Sequence, residues 1–150
     1  MALSDKRILE EMEKGNVVID EFSRENLATS SYDVTLGDWF YREQLHSKYH
    51  HKIFNIFSEA HTNYVWGYKP LTSEPASEVF RKFKFEWDGI KPKDKIIYLE
   101  PGETILAHTN EFIGGRNTIT TMMTARSSLG RVFIEVCKCA GWGDVGYINR

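Results

Sequence analysis

A mainly β fold preceded by one short helix is what the 150-residue sequence predicts. Three observations point to it. From residue 95 onward, short apolar runs recur at regular spacing between glycine and proline turns, the mark of a sandwich, jelly roll or barrel. Tyr32, Val34 and Leu36 alternate with Asp33 and Thr35, the period of a half-buried strand. Residues 4–14 carry a helical pattern instead, with Ile8, Leu9 and Met12 at helical spacing.

Taken in order, Ser4 is the expected N-cap of that helix and Gly15 its stop. Val17–Ile19 is a short strand, and residues 20–30 are polar and turn-like. The run Ser31 to Leu36 is the half-buried strand; Gly37 interrupts it, and Trp39 to Tyr41 resumes a β-prone composition. Residues 42–92 are poorly patterned and read as an insertion. Within that region Tyr64 to Tyr68 is a strand or loop, residues 69–77 a loop, and residues 75–82 a short helix leading into a strand. Order returns with a strand from Lys95 to Glu100, a Pro101-Gly102 turn and a strand from Thr104 to Thr109. Asn110 to Asn117 is a loop hinged on Gly114-Gly115. Strands follow over Thr118–Thr124 and Val132–Cys139, separated by a turn at Arg126–Arg131. A second turn at Gly141–Gly146 leads into a last strand from Tyr147.

A single domain spanning 1–150 follows from the length, which suffices to bury a core. The net charge of -2 provides no global field for a nucleic-acid polymer or an anionic membrane. No apolar run approaches the length of a membrane span, and the polar N-terminus lacks the apolar core of a signal peptide. A cytoplasmic location is expected. Cys137 and Cys139, two apart in the same run, read as reduced thiols, in the core or half-buried. His46, His50 and His51 sit among lysines; His46 and His50 would share a helical face, yet no carboxylate or cysteine stands at a matching interval. A solvated surface segment is the simpler reading, so no metal site is assigned.

Two turns carry candidate chemistry. Arg126-Ser127-Ser128-Leu129-Gly130-Arg131 places two hydroxyls between two guanidinium groups, followed by residues able to make one helical turn. Backbone N–H groups and hydroxyls can wrap phosphate oxygens, and arginine adds a planar fork. A capped turn with two surface arginines explains the same residues equally well. Asp144, among Gly141, Gly143 and Gly146, is either an Asx-turn residue or a carboxylate for water or sugar. Tyr147 is a core residue or a stacking platform. The zinc-deaminase signature, a phosphate-binding P-loop and a Gly-x-Ser-x-Gly elbow are all absent from the sequence.

Several motifs, in matching order and spacing, make the chain resemble the trimeric dCTP deaminase and dUTPase superfamily, the deaminase branch above all. They are Leu3-Ser4-Asp5 with Ile8 and Gly15; Ser31-Tyr32-Asp33-Val34-Thr35-Leu36-Gly37; Pro101-Gly102-Glu103 with Thr109-x-Glu111; Ala125 to Arg131; and Ala140-Gly141-Trp142-x-Asp144-x-Gly146-Tyr147. The resemblance implies a jelly-roll-like, dUTPase-type β barrel, assembled as a homotrimer with active sites between subunits. It implies dCTP or dUTP as ligand, with Mg²⁺ carried on the triphosphate. Arg126, Ser127 and Ser128 match residues that grip the triphosphate; Ser127 and the backbone at Ala140 also help place the attacking water. Arg131 matches an arginine near the reacting base, and Tyr147 an aromatic beside the sugar. Asp144 matches the carboxylate facing the deoxyribose, which in dUTPases activates water for attack at the α-phosphate.

The deaminase general base is a glutamate that the motif spacing puts just beyond Arg150, so a C-terminally truncated chain is expected. The Ala-Gly-aromatic pattern at Ala140-Gly141-Trp142 looks like the bifunctional members, which convert dCTP to dUTP and then to dUMP. Gly143 and Val145 depart from a usual isoleucine and a frequent proline. The expected activity is deamination of dCTP to dUTP and ammonia, with dUTP cleavage to dUMP and pyrophosphate as a second step. dUTPase activity alone, or a catalytically silent nucleotide-binding module, are the alternatives.

Overall fold

Helix α1 spans Asp5–Glu13, where the sequence predicts it, because local signals agree with packing. The Ser4 hydroxyl accepts from the Arg7 N–H at 3.3 Å and caps the first turn. Ile8 lies buried on the apolar face, and Gly15, with φ 73°, closes the helix end. Glu11 is also buried on this helix; Asn16 Nδ2 and Lys14 Nζ donate to its carboxylate, and Arg7 pairs with it at 2.8 Å. The Asn16 hydrogen bond, then that from Lys14, holds the Glu11 carboxyl below the usual carboxylate range.

The computed structural model describes residues 1–44, 54–137 and 140–150. The expectations for His46, His50, His51 and Cys139 lie outside the described residues. The described chain combines small helices with antiparallel ladders in two compact units, Met1–Thr35 with Thr109–Arg150, and Leu36–His108.

In the first unit, β1 (Val17–Ile19) and β10 (Ile148–Asn149) flank β7 (Ile113–Gly115) in one antiparallel sheet. The Gly114-Gly115 pair is therefore the centre of a strand, not a loop hinge. The reason is close approach: a Cβ on Gly114 would stand 2.3 Å from the Tyr147 carbonyl, and one on Gly115 2.2 Å from that of Ile119. A second ladder joins β8 (Thr121–Met122) to β9 (Trp142–Gly143). The predicted strand Thr118–Thr124 is thus shorter, and part of the predicted turn Gly141–Gly146 is strand. Between them, Ser127–Gly130 forms a single helical turn, α4.

The expected strand Val132–Cys139 does not form over residues 132–137. Phe133 and Cys137 take left-handed φ of 62° and 50°, and the Phe133 and Ile134 N–H groups bond back to Gly130 and Leu129. Phe133 is 95% exposed in consequence. Cys137 is a free, exposed thiol, not a core one.

In the second unit, β2 starts at Leu36 and runs to Arg42, so Gly37 lies within the strand and Ser31–Thr35 precede it. Gly37 is needed there, since the imidazole of His108 occupies the place of a Cβ. β2 lies between β3 (Leu71–Thr72) and β6 (Ile105–Thr109). A two-stranded ladder joins β4 (Glu74–Pro75) to β5 (Lys95–Ile96). Residues 69–77 thus hold two short strands as well as loop. Glu59–Trp66 is a helix, α2, not the strand or loop expected near Tyr64. Ser58 caps it by accepting from the His61 N–H, and Gly67 at φ 81° ends it.

Helix α3, Ala76–Phe83, agrees with the predicted helix and buries Ala76, Val79 and Phe80. No strand follows it over residues 84–87; Lys84 turns the chain with φ 56°, and Trp87 packs on Phe80, Phe83 and Phe85. The strand expected to reach Glu100 stops at Ile96. Beyond it, polar groups bond to side chains: Arg42 Nη2 donates to the Tyr98 carbonyl at 2.6 Å, and the Glu100 N–H donates to Glu103 at 2.8 Å.

Candidate active site

The candidate site residues Arg126, Ser127, Ser128, Arg131, Ala140, Asp144 and Tyr147 all belong to the first unit, and the β8–β9 ladder sets their places. Thr121 faces Gly143 and Met122 faces Trp142; the Met123 N–H donates to the Gly141 carbonyl at 2.7 Å. The chain leaves β8, rounds the Arg126–Arg131 turn, and returns in β9 immediately ahead of Asp144. Gly143 is matched to this pairing, because a Cβ there would stand 2.5 Å from Thr121 Oγ1.

Arg126 is extended, with φ -67° and ψ 147°, and α4 starts directly after it. The first backbone bonds of the turn run from Leu129 N–H to the Arg126 carbonyl at 3.0 Å and from Arg131 N–H to the Ser127 carbonyl at 3.0 Å. The N–H groups of Ser127 and Ser128 precede that ladder. Arg126, Ser127, Ser128 and Arg131 are exposed. Among the described residues, the Ser127 and Ser128 hydroxyls and the Arg131 guanidinium have no hydrogen-bond or ion-pair partner. Arg126 Nη2 pairs with Asp33 Oδ2 at 3.3 Å.

The second turn is fixed through its backbone. The Tyr147 N–H donates to the Asp144 carbonyl at 2.9 Å, Gly146 has φ 87°, and its N–H donates to the Gly115 carbonyl at 2.7 Å. The Asp144 carboxylate takes no part in the turn and, among the described residues, accepts no hydrogen bond. This is not an Asx turn. Tyr147 is 59% exposed, and its hydroxyl accepts from Asn149 Nδ2 at 2.9 Å. Ala140 is exposed at the foot of β9.

The ladder thus ties both turns at their bases. No hydrogen bond or ion pair joins Arg126–Arg131 to Asp144–Tyr147 among the described residues. Chemically, the first turn offers two hydroxyls and two guanidinium groups, a donor set suited to phosphate oxygens. The second offers an exposed carboxylate beside an aromatic ring. No group of three His, Cys, Asp or Glu side chains suited to a metal ion occurs among the described residues.

Sequence reasoning gave no role to Asp33, Thr35 or Glu111. Thr35 N–H and hydroxyl both donate to the Glu111 carboxylate at 3.0 Å, and Glu111 is 2% exposed. Their membership of the Ser31–Gly37 and Thr109-x-Glu111 motifs was the available signal.

Among the described residues no helix is long and apolar enough to cross a membrane. A protein from Methanococcus aeolicus named "dCTP deaminase, dUMP-forming" is 33% identical over 152 residues, covering 100% of this chain and 70% of its own. One of the same name from Methanocaldococcus jannaschii is 31% identical over 150 residues, covering 100% and 69%. The family model for dCTP deaminase-like proteins matches residues 2–150. From one end of the sequence to the other, the chain belongs to the dCTP deaminase-like family.

Proposed function

We propose that the protein hydrolyses dCTP to dUTP and ammonia, and cleaves dUTP to dUMP and pyrophosphate. The observation that carries the proposal is the set of uncommitted polar groups at the family motif positions: the Ser127 and Ser128 hydroxyls, the Arg131 guanidinium and the Asp144 carboxylate, all exposed. Polar groups that the fold does not use are available to a ligand. The shared name of the methanogen relatives supports dUMP as the final product.

In this reading Arg126, Ser127 and Ser128 hold the triphosphate, with Mg²⁺ bound through its oxygens. Ser127 and the backbone at Ala140 place a water against C4 of the cytosine. A carboxylate carries one proton of that water to N3 and then the proton of the resulting C4 hydroxyl to the amine, which departs as ammonia. In the family that the sequence resembles, a glutamate fills this role. Arg131 stabilises charge near the base, and Tyr147 lies along the sugar. Asp144 faces the deoxyribose and activates the water that attacks the α-phosphate in the second step.

The proposed assembly is a homotrimer of jelly-roll-like barrels, with residues 42–92 inserted into one domain and the sites between subunits, working in the cytoplasm. Light scattering checks this part: a monomer of the protein encoded by the whole gene would remove the intersubunit site. The activity is tested by incubating that protein with dCTP and Mg²⁺ and separating the products. Ammonia and dUMP are expected. Formation of dUMP from dUTP but of nothing from dCTP would contradict deamination.

A further inference from the structure

The segment before β2 is not a strand, yet it is held from several sides. The Asp33 N–H donates to the Asn26 carbonyl at 2.8 Å. The neighbouring Tyr32 hydroxyl accepts from the Ser23 N–H at 2.9 Å, and its ring stacks on Phe22 with centroids 5.5 Å apart. Two residues on, the buried Glu111 carboxylate binds Thr35 through both backbone and hydroxyl. The Asn110 N–H donates to the Thr35 carbonyl at 3.0 Å. This anchoring fixes the backbone of Asp33, whose side chain is one-third exposed and points at Arg126.

Arg126 needs such a partner. Its side chain is 70% exposed, and a free arginine loses considerable rotamer freedom when a ligand immobilises it. The ion pair with Asp33 brings Nη2 to 3.3 Å from Oδ2, and among the described residues no guanidinium N–H of Arg126 donates a hydrogen bond, so its N–H groups can still reach an anion. A carboxylate on a fixed backbone thus restrains the cation without occupying its fork.

We propose that Asp33 is a positioning residue for nucleotide binding: anchored through the Thr35–Glu111 contact, it pre-orients Arg126 toward the triphosphate. The proposal rests on the assignment of the Arg126–Arg131 turn as the triphosphate clamp. Asp33 touches no reacting atom in this scheme, so its loss weakens substrate binding and leaves the chemical step alone.

The test is steady-state kinetics on dCTP with Asp33→Asn, Arg126→Ala and the double variant of the protein encoded by the whole gene. Asp33→Asn is expected to raise KM about 3- to 5-fold, the scale of an exposed ion pair, with kcat within about twofold. Arg126→Ala raises KM further, and adding Asp33→Asn to it changes nothing more, because Asp33 acts through Arg126. Asp33→Ser, a second substitution, shifts KM in the same direction, which guards against a folding defect in one variant. Additive KM effects, or a lower KM in Asp33→Asn because the carboxylate competes with phosphate, would overturn the role of Asp33 while leaving the clamp intact. An unchanged KM in Arg126→Ala would sink the clamp and the Asp33 proposal together.

Discussion

The corner formed by α1, β1 and β7 and the pair of turns around β8 and β9 belong to the same unit but use their polar groups in opposite ways. At the corner, the fold itself takes them up. Glu11 is buried yet surrounded by Arg7, Lys14 and Asn16, and Asn117 Nδ2 donates to Asn16 Oδ1 at 2.6 Å. At the turns, the Ser127 and Ser128 hydroxyls, the Arg131 guanidinium and the Asp144 carboxylate are exposed and make no hydrogen bond or ion pair among the described residues. Backbone bonds fix both regions, so the difference is one of side-chain commitment. A buried polar group without a partner would cost about 1–3 kcal/mol, which is why the corner must satisfy its own. An exposed group has water, and can exchange it for a ligand.

The contrast is broken if substitutions at the turns act on stability, or those at the corner on catalysis. The largest expected effect is from Ser127→Ala, which lowers kcat/KM for dCTP by about 10²-fold, the scale of one lost hydrogen-bond donor at a reacting centre. Its unfolding free energy stays within about 0.5 kcal/mol of the parent, as befits an exposed side chain. Unchanged turnover in this variant would mean that the site is elsewhere. Asp144→Asn separates the two proposed steps: cleavage of dUTP falls by about 10²-fold or more, and dCTP deamination falls less, as followed by product chromatography.

Gly114→Ala reverses the pattern. Its Cβ meets the Tyr147 carbonyl, and the strain is expected to cost about 1–3 kcal/mol in urea unfolding. The smallest effect is from Glu11→Gln. The hydrogen bonds of Asn16 and Lys14 hold the Glu11 carboxyl below its ordinary value in the folded chain. Its contribution is therefore present above the unfolded pKa and is lost as pH falls through the folded one. Glu11→Gln flattens the acid limb of stability against pH, read from urea midpoints between neutral and acid pH, without a change in KM. A steeper acid limb would contradict the assignment.

Local signals made part of this legible. Ser4, Ile8 and Gly15 specify α1 by capping, periodicity and stop, and the short helix expected at residues 75–82 forms as α3, with Val79 and Phe80 on its buried face. The family motifs gave the order of the turns at Arg126 and Asp144. What stayed hidden depended on distant partners. Gly114-Gly115 has the composition of a hinge, and only the approach of Tyr147 and Ile119 makes it the centre of a sheet. Val132 to Val136 has strand composition, yet the left-handed backbone at Phe133 and Cys137 keeps it out of a ladder. The link from Glu111 through Thr35 to Asp33 and Arg126 joins residues from separate motifs, and no spacing rule brings them together.

Hydrogen–deuterium exchange with dCTP and Mg²⁺, against deoxycytidine as the phosphate-free control, tests the central claim most directly. With dCTP, new protection is expected in peptides covering Ala125–Val132 and Trp142–Asn149, while α1 and β1 stay as they were. Deoxycytidine protects the first of these stretches far less, because it lacks the phosphates that the clamp holds. Equal protection of Ala125–Val132 by both ligands, or protection centred on α1 and β1, would contradict the account.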